Sequence, residues 1–243
     1  LCGSKGQARA LASGEKCGLE CGTQHTTLFF DMPEDPDPNR SPDRISFPDD
    51  EATYPWLSTL LDAYFVADEG IAEAIRREER QGRRLACAKG CSSCCRTHAT
   101  IPVYPLELMG LSWYATEKLE GPEREVLKER LGRHGELDAC PFLIDGACAV
   151  HAVRPLACRH FNVFGAGCAE GEDAYYTRRQ DVLTPIKKYK DQAFYIMLIF
   201  HGLKKKAERR QAIKSGAIHA WAKVMRECNW ESLAERMDGY DRR

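Results

Sequence analysis

Cys87-Ala-Lys-Gly-Cys91-Ser-Ser-Cys94-Cys95 places four thiols within nine residues, in the pattern CxxxCxxCC. Four more follow at Cys140, Cys148, Cys158 and Cys168. Packing gives no reason to gather eight sulfurs there, whereas thiolates two and three residues apart are what zinc or an iron–sulfur cluster takes. The 12 cysteines admit two other uses, as disulfides or as scattered buried thiols. Disulfide scaffolds are mostly small secreted domains without a core, and neighbouring Cys94 and Cys95 hardly reach the geometry of a bridge. Clustering favours metal ligation by all eight. A regular helix would line up positions i, i+4, i+7 and i+8 on one face. Gly90 argues against an undisturbed helix, at ~1 kcal/mol relative to Ala, so the expectation is a turn or helix start wrapped around the metal. Cys94 and Cys95 then point apart: one serves the first site, and the other reaches a second metal or stays free.

Around this stretch the chain reads as helices. Upstream, Pro55 opens a helix in which Leu57, Leu60, Leu61, Tyr64, Phe65, Ala67, Ile71 and Ile75 recur at three- and four-residue steps, ending at Gly82. Downstream, helices start at Pro105 and at Pro122, separated by the Gly121-Pro122 break. Ile101-Pro-Val-Tyr104 is too short and Pro-broken for a firm strand. Residues 135–180 carry no period, and cross-linking through metal is expected to order them. Thr184 and Pro185 look like the N-cap and first position of a further helix, closed by Gly202, and the remainder reads as helical almost to the end. No repeat and no βαβ alternation appears. The expected fold is mainly α, helices packed around an irregular cysteine-rich middle.

The expected domain organisation is a Gly/Pro-rich tail and acidic linker over 1–50 and a helical metal-binding domain over 51–243. Within the tail, Cys2, Cys17, Cys21 and His25 stand apart from the central cluster, and Cys17-x3-Cys21-x3-His25 has ligand types at ligand-like gaps. Five prolines between Pro33 and Pro48, among acidic residues, predict an extended linker running on to Glu51.

With 243 residues, 43% apolar and 29% charged, the chain can bury a core of ordinary size. A formal net charge of -1 gives no electrostatic case for nucleic acid. No apolar run approaches the ~18–20 residues of a membrane span. No signal peptide is visible, and the cytoplasm is the expected compartment. The run Lys204–Lys206 with Arg209 and Arg210 reads as a solvated helix face, and Met197, Met225 and Met237 read as core.

Lys89, Arg96, Arg154 and Arg159 lie beside the cysteines and would balance a thiolate-rich centre, with Arg154 and Arg159 the expected cofactor-binding pair. His98, His151 and His160 lie close enough to be considered as ligands. Phe161–Phe164 and Glu172–Arg179 are candidates for a pocket wall. Glu107 and Tyr104 could act as acid or base, although Glu107 reads more naturally as a helix-start carboxylate. No phosphate-cradling Gly loop, HExxH or Ser/His/Asp order appears. The CxxxCxxC spacing also occurs in radical S-adenosylmethionine enzymes, but their α/β barrel has no counterpart in this pattern.

CAKGCSSCC followed by CPFLIDGACAVHAVRPLACRHFN resembles the CxxCxxCC cysteine-cluster family of zinc- or iron-chelating domains, over roughly residues 55–170. The resemblance implies Cys87, Cys91, Cys94, Cys95, Cys140, Cys148 and Cys158 as ligands, with Arg154, Pro155 and Arg159 completing the motif. Where some members carry a further cysteine, this chain has Asn162, and Cys168 would substitute. The cluster is also similar to that of flagellin lysine N-methylases, longer iron–sulfur proteins that use S-adenosylmethionine. Three functions follow. The first is an iron–sulfur protein, [4Fe-4S] by preference, in redox or S-adenosylmethionine-dependent chemistry with a protein or small-molecule partner. The alternatives are a structural zinc module and a soft-metal carrier or sensor.

Overall fold

The structure, a computed structural model, describes residues 42–242. Cys2, Cys17, Cys21 and His25 lie outside the described residues, as does most of the expected tail and linker. The chain enters through a short helix, α1 (Pro48–Thr53), and runs into α2 (Pro55–Arg80), 26 residues long. Then come α3 (Ser93–Thr97), strand β1 (Pro102–Val103), α4 (Pro105–Glu117) and α5 (Gly121–Gly132). The middle holds β2 (Leu143–Ile144), β3 (Ala147–Cys148), α6 (Leu156–His160) and α7 (Ala174–Thr177). Helices α8 (Lys187–Met197) and α9 (Lys206–Ser215), strand β4 (Lys223–Val224) and α10 (Glu231–Asp241) follow. The mainly α expectation holds.

Helix α2 is the central pillar. Its periodic face, including Leu57, Leu60, Leu61, Tyr64 and Ala67, is buried, packing against α8 on one side and α4 and α6 on others. Helix α10 closes the bundle against α5 and α4. The strands are short clasps: β1 pairs antiparallel with β4, Pro102 opposite Val224, and β2 with β3, Leu143 opposite Cys148. No helix among the described residues is long and apolar enough to cross a membrane.

The α2–α8 crossing is tight at Gly70, where a Cβ would lie 2.4 Å from Tyr189 Cβ and 2.7 Å from its Cγ. Alanine would gain up to ~1 kcal/mol of helix propensity, but overpacking of this kind costs ~1–3 kcal/mol. Gly70→Ala should therefore lose about 1–2 kcal/mol, read as a lower urea midpoint at unchanged m-value. Gly110→Ala, where the clash is with the Leu60 Cδ2 methyl at the free end of a side chain, should lose less. A raised midpoint for Gly70→Ala would contradict the crossing.

Four local expectations change. Pro48-Asp-Asp-Glu51 is helical, not extended: Pro48 suits a first turn and three acidic residues complement its dipole. Arg44 fastens this turn to α2, 2.8 Å from Glu51 and 2.7 Å from Asp62. Thr184 and Pro185 do not start α8, which begins at Lys187 with no side-chain cap. Val182 is held in a bridge to Val163, and Leu183 N–H donates to Asn162 O at 2.8 Å, so the chain stays extended past the apparent cap. The C-terminal remainder is broken by Gly216 at φ 73° and by the β1–β4 clasp, which Met225 N–H extends to Ile101 O. Finally, the aperiodic middle is not ordered through sulfur alone, because Phe142, Val150, Val153 and Leu156 lie in the main core.

Candidate metal centre

The residues that carry the thiols are positioned by pairings between distant segments. Ala86 N–H donates to Val163 O and Gly165 N–H to Arg84 O, both at 2.8 Å, so a short extended ribbon presents Cys87. Val163 N–H points at Cys87 Sγ from 3.3 Å. Gly90, at φ +85°, then reverses the chain in a conformation that L side chains avoid, and α3 begins, bearing Cys94 and Cys95. Cys140 N–H donates to Cys95 O at 2.7 Å and so joins the downstream thiols to the upstream run. The β2–β3 hairpin turns on Asp145 (φ 47°) and Gly146 (φ 80°), the two positive φ values of a type I′ turn, and sets Cys148 beside them. Cys158 lies in α6.

Seven thiols (Cys87, Cys91, Cys94, Cys95, Cys140, Cys148 and Cys158) line one cavity of about 520 Å³. All nine cysteines among the described residues are free. Cys168 is not on this wall; it packs beside Val163, Ala174 and Val182, with Arg178 Nη2 at 3.9 Å from its sulfur. Among the described residues no three His, Cys, Asp or Glu side chains stand close enough to hold one ion as they are placed.

Among the described residues no carboxylate lines the cavity, so the donor set there is soft and suits zinc, iron–sulfur or similar centres rather than Ca²⁺ or Mg²⁺. Burial pushes the Cys140 thiol up to about 12, and raises Cys87, Cys148 and Cys158 as well. Cys94 is raised first by its hydrogen bond with Cys95 and then by burial. Adjacent thiols add to these shifts by mutual repulsion. Crowded thiols of this kind hold their protons until a cation sits among them, which is how metal and proton compete for a ligand set.

These geometric features agree with the comparison to known families. Residues 86–189 match the CxxCxxCC family. Its description reads "putative zinc- or iron-chelating domain". The match begins later and reaches further than the motif resemblance over 55–170 suggests. No curated protein and no solved structure matches the chain, so the similarity to flagellin lysine N-methylases finds no support there.

The two arginines of the motif both line the cavity but are held differently. Arg154 lines the cavity, and its guanidinium meets the His151 ring at 2.7 Å and, among the described residues, no carboxylate. Arg159 is buried and fully engaged. It pairs with Asp68 at 2.6 Å, donates to Arg154 O at 2.8 Å and to Ala152 O, and lies 4.0 Å over the Tyr64 ring. It braces this part of the wall. Phe161 and Asn162 face the cavity, whereas Tyr175 and Tyr176 of the second expected wall segment are exposed.

Three features of this region lie beyond the thiol pattern. Asp145-Gly146 is a strong hairpin signal on its own, flanked by Leu143-Ile144 and Ala147-Cys148, but period counting passes over two-residue strands. Glu107, fully buried, accepts from Tyr104 N–H at 2.9 Å and from Leu156 N–H at 2.6 Å. It therefore caps α4 and anchors the start of α6, and both of its oxygens are occupied by structure. The third is a contact of 3.0 Å between His98 Nε2 and Asp173 Oδ1, residues that nothing local connects.

Proposed function

We propose that this chain holds a polynuclear iron–sulfur centre, [4Fe-4S] by preference, in the cavity lined by the seven thiols. The observation that carries the proposal is their number: seven thiols line one cavity, more than the four that a single tetrahedral ion takes. A cluster uses more than one metal, and each iron takes its own thiolate. Seven thiols exceed the four terminal ligands of one cubane, so the proposal leaves some of them as reserve or second-site ligands. Arg154, which has no acidic partner among the described residues, would offset the negative charge of the centre. When bound, such a cluster supplies one-electron transfer. The cavity volume also falls in the ~300–1,000 Å³ range of small-molecule pockets, which leaves room for a substrate or co-substrate in redox or S-adenosylmethionine-dependent chemistry. Seven free thiols gathered this way fit a reducing compartment such as the cytoplasm.

Anaerobic purification tests this directly. The protein should be brown, with visible charge-transfer absorption, about four iron and four sulfide per chain, and an EPR signal on reduction. Cys158→Ala and Cys94→Ala should each lose most of the iron. Colourless protein with stoichiometric zinc would replace the cluster with a structural zinc site, and full metal content in both variants would overturn the ligand set.

A further inference from the structure

His98 stands on the cavity wall four residues after Cys94, its backbone N–H donating to Cys94 O at 3.0 Å. Its side chain is only 12% exposed, edge-on to Phe161 with ring centroids 4.1 Å apart. Nε2 lies 3.0 Å from Asp173 Oδ1, the oxygen that also accepts from Tyr175 N–H to cap α7. A carboxylate at Nε2 fixes the tautomer with the proton there, so the lone pair of the neutral ring is on Nδ1. Among the described residues Nδ1 makes no hydrogen bond. An imidazole whose far nitrogen is held by a carboxylate is the arrangement that metal-bound histidines show, and here its residue lines the same cavity as the seven thiols.

We infer that His98 is a ligand of the metal centre through Nδ1, with Asp173 as its positioning residue, giving mixed cysteine–histidine ligation. This rests on the metal reading above. A neutral nitrogen in place of a thiolate makes the centre less negative, and in iron–sulfur proteins histidine ligation raises the reduction potential. It also gives α7 a reason to sit where it does, bringing Asp173 to a histidine 75 residues earlier in the chain.

The full chain is reconstituted anaerobically with ferrous iron and sulfide, or with zinc, and X-ray absorption is recorded at the edge of the metal retained. Imidazole scattering should appear in the wild type and vanish in His98→Cys while metal content stays within about twofold. His98→Gln provides the same comparison without a new thiol. A wild type that retains neither metal defeats the metal reading, and this inference with it. Retained metal without imidazole scattering, or with scattering unchanged in His98→Cys, overturns His98 alone and leaves the thiolate centre standing. Asp173→Asn should weaken metal binding about 10–100-fold, and should have no such effect in the His98→Cys background. An equal loss in both backgrounds would show that Asp173 acts only through the fold and would overturn its positioning role.

Discussion

Arg159→Met should destabilise the fold by about 3–5 kcal/mol, the usual cost of removing one partner of a buried ion pair. The Arg159 side chain is 2% exposed and Asp68 only 24%, so the carboxylate would lose its cation in a place where water gives little compensation. Two backbone oxygens, Arg154 O and Ala152 O, would lose their donor as well. The turn at 151–154 and helix α6 would then come loose from α2, and Cys158 with them. Arg159→Lys keeps the charge but lacks the planar fork that serves three acceptors at once. It should fall between wild type and Met, about 2 kcal/mol down if one or two charged hydrogen bonds are lost. Urea unfolding of the three proteins at one pH decides the matter. If Met and wild type unfold at the same midpoint, the arginine is not the brace described here.

The legible and illegible parts of this molecule divide by how far apart the interacting residues are. The buried face of α2 can be read directly, because the three- and four-residue steps from Leu57 to Ile71 are local and one helix satisfies them. The thiols are equally plain, since a chain with a core of ordinary size has no packing use for four sulfurs between Cys87 and Cys95. Thr184-Pro185 shows the opposite case. As a local signal it is a sound helix start, but pairing of the preceding residues, Val182 and Leu183, with 162–163 overrides it, and no local rule contains that pairing. The braces around the cavity are more distant still. Arg159 meets Asp68 across 91 residues, and Glu107 meets Leu156 across 49. Isolated in the sequence, each of these charged residues has the form of a surface group, and only the fold shows it to be a buried brace.

Glu107 supplies the clearest pH dependence. Burial raises its carboxyl to about 7 from an ordinary value of 4.5, against the pull of the two backbone N–H groups and of Arg159. A carboxyl whose folded pKa lies above its unfolded one binds more protons in the folded state. Its stabilising contribution is therefore complete below about 4.5 and is lost as pH rises through about 7. The shift corresponds to about 3 kcal/mol over that window. Glu107→Gln removes this titration, but the amide has one oxygen for two N–H donors, so one of Tyr104 N–H and Leu156 N–H faces an NH₂ group at a cost of about 1–3 kcal/mol. At pH 5 the variant should be the less stable protein, and between pH 5 and 8 the gap should close or reverse by about 3 kcal/mol. Groups that titrate alike in both proteins cancel in the difference. Urea unfolding of both proteins at half-unit steps across that range measures it. A gap independent of pH would mean that Glu107 ionises inside the fold as freely as it does outside, and the anchor at the start of α6 would then be a fixed charge held by its two N–H donors.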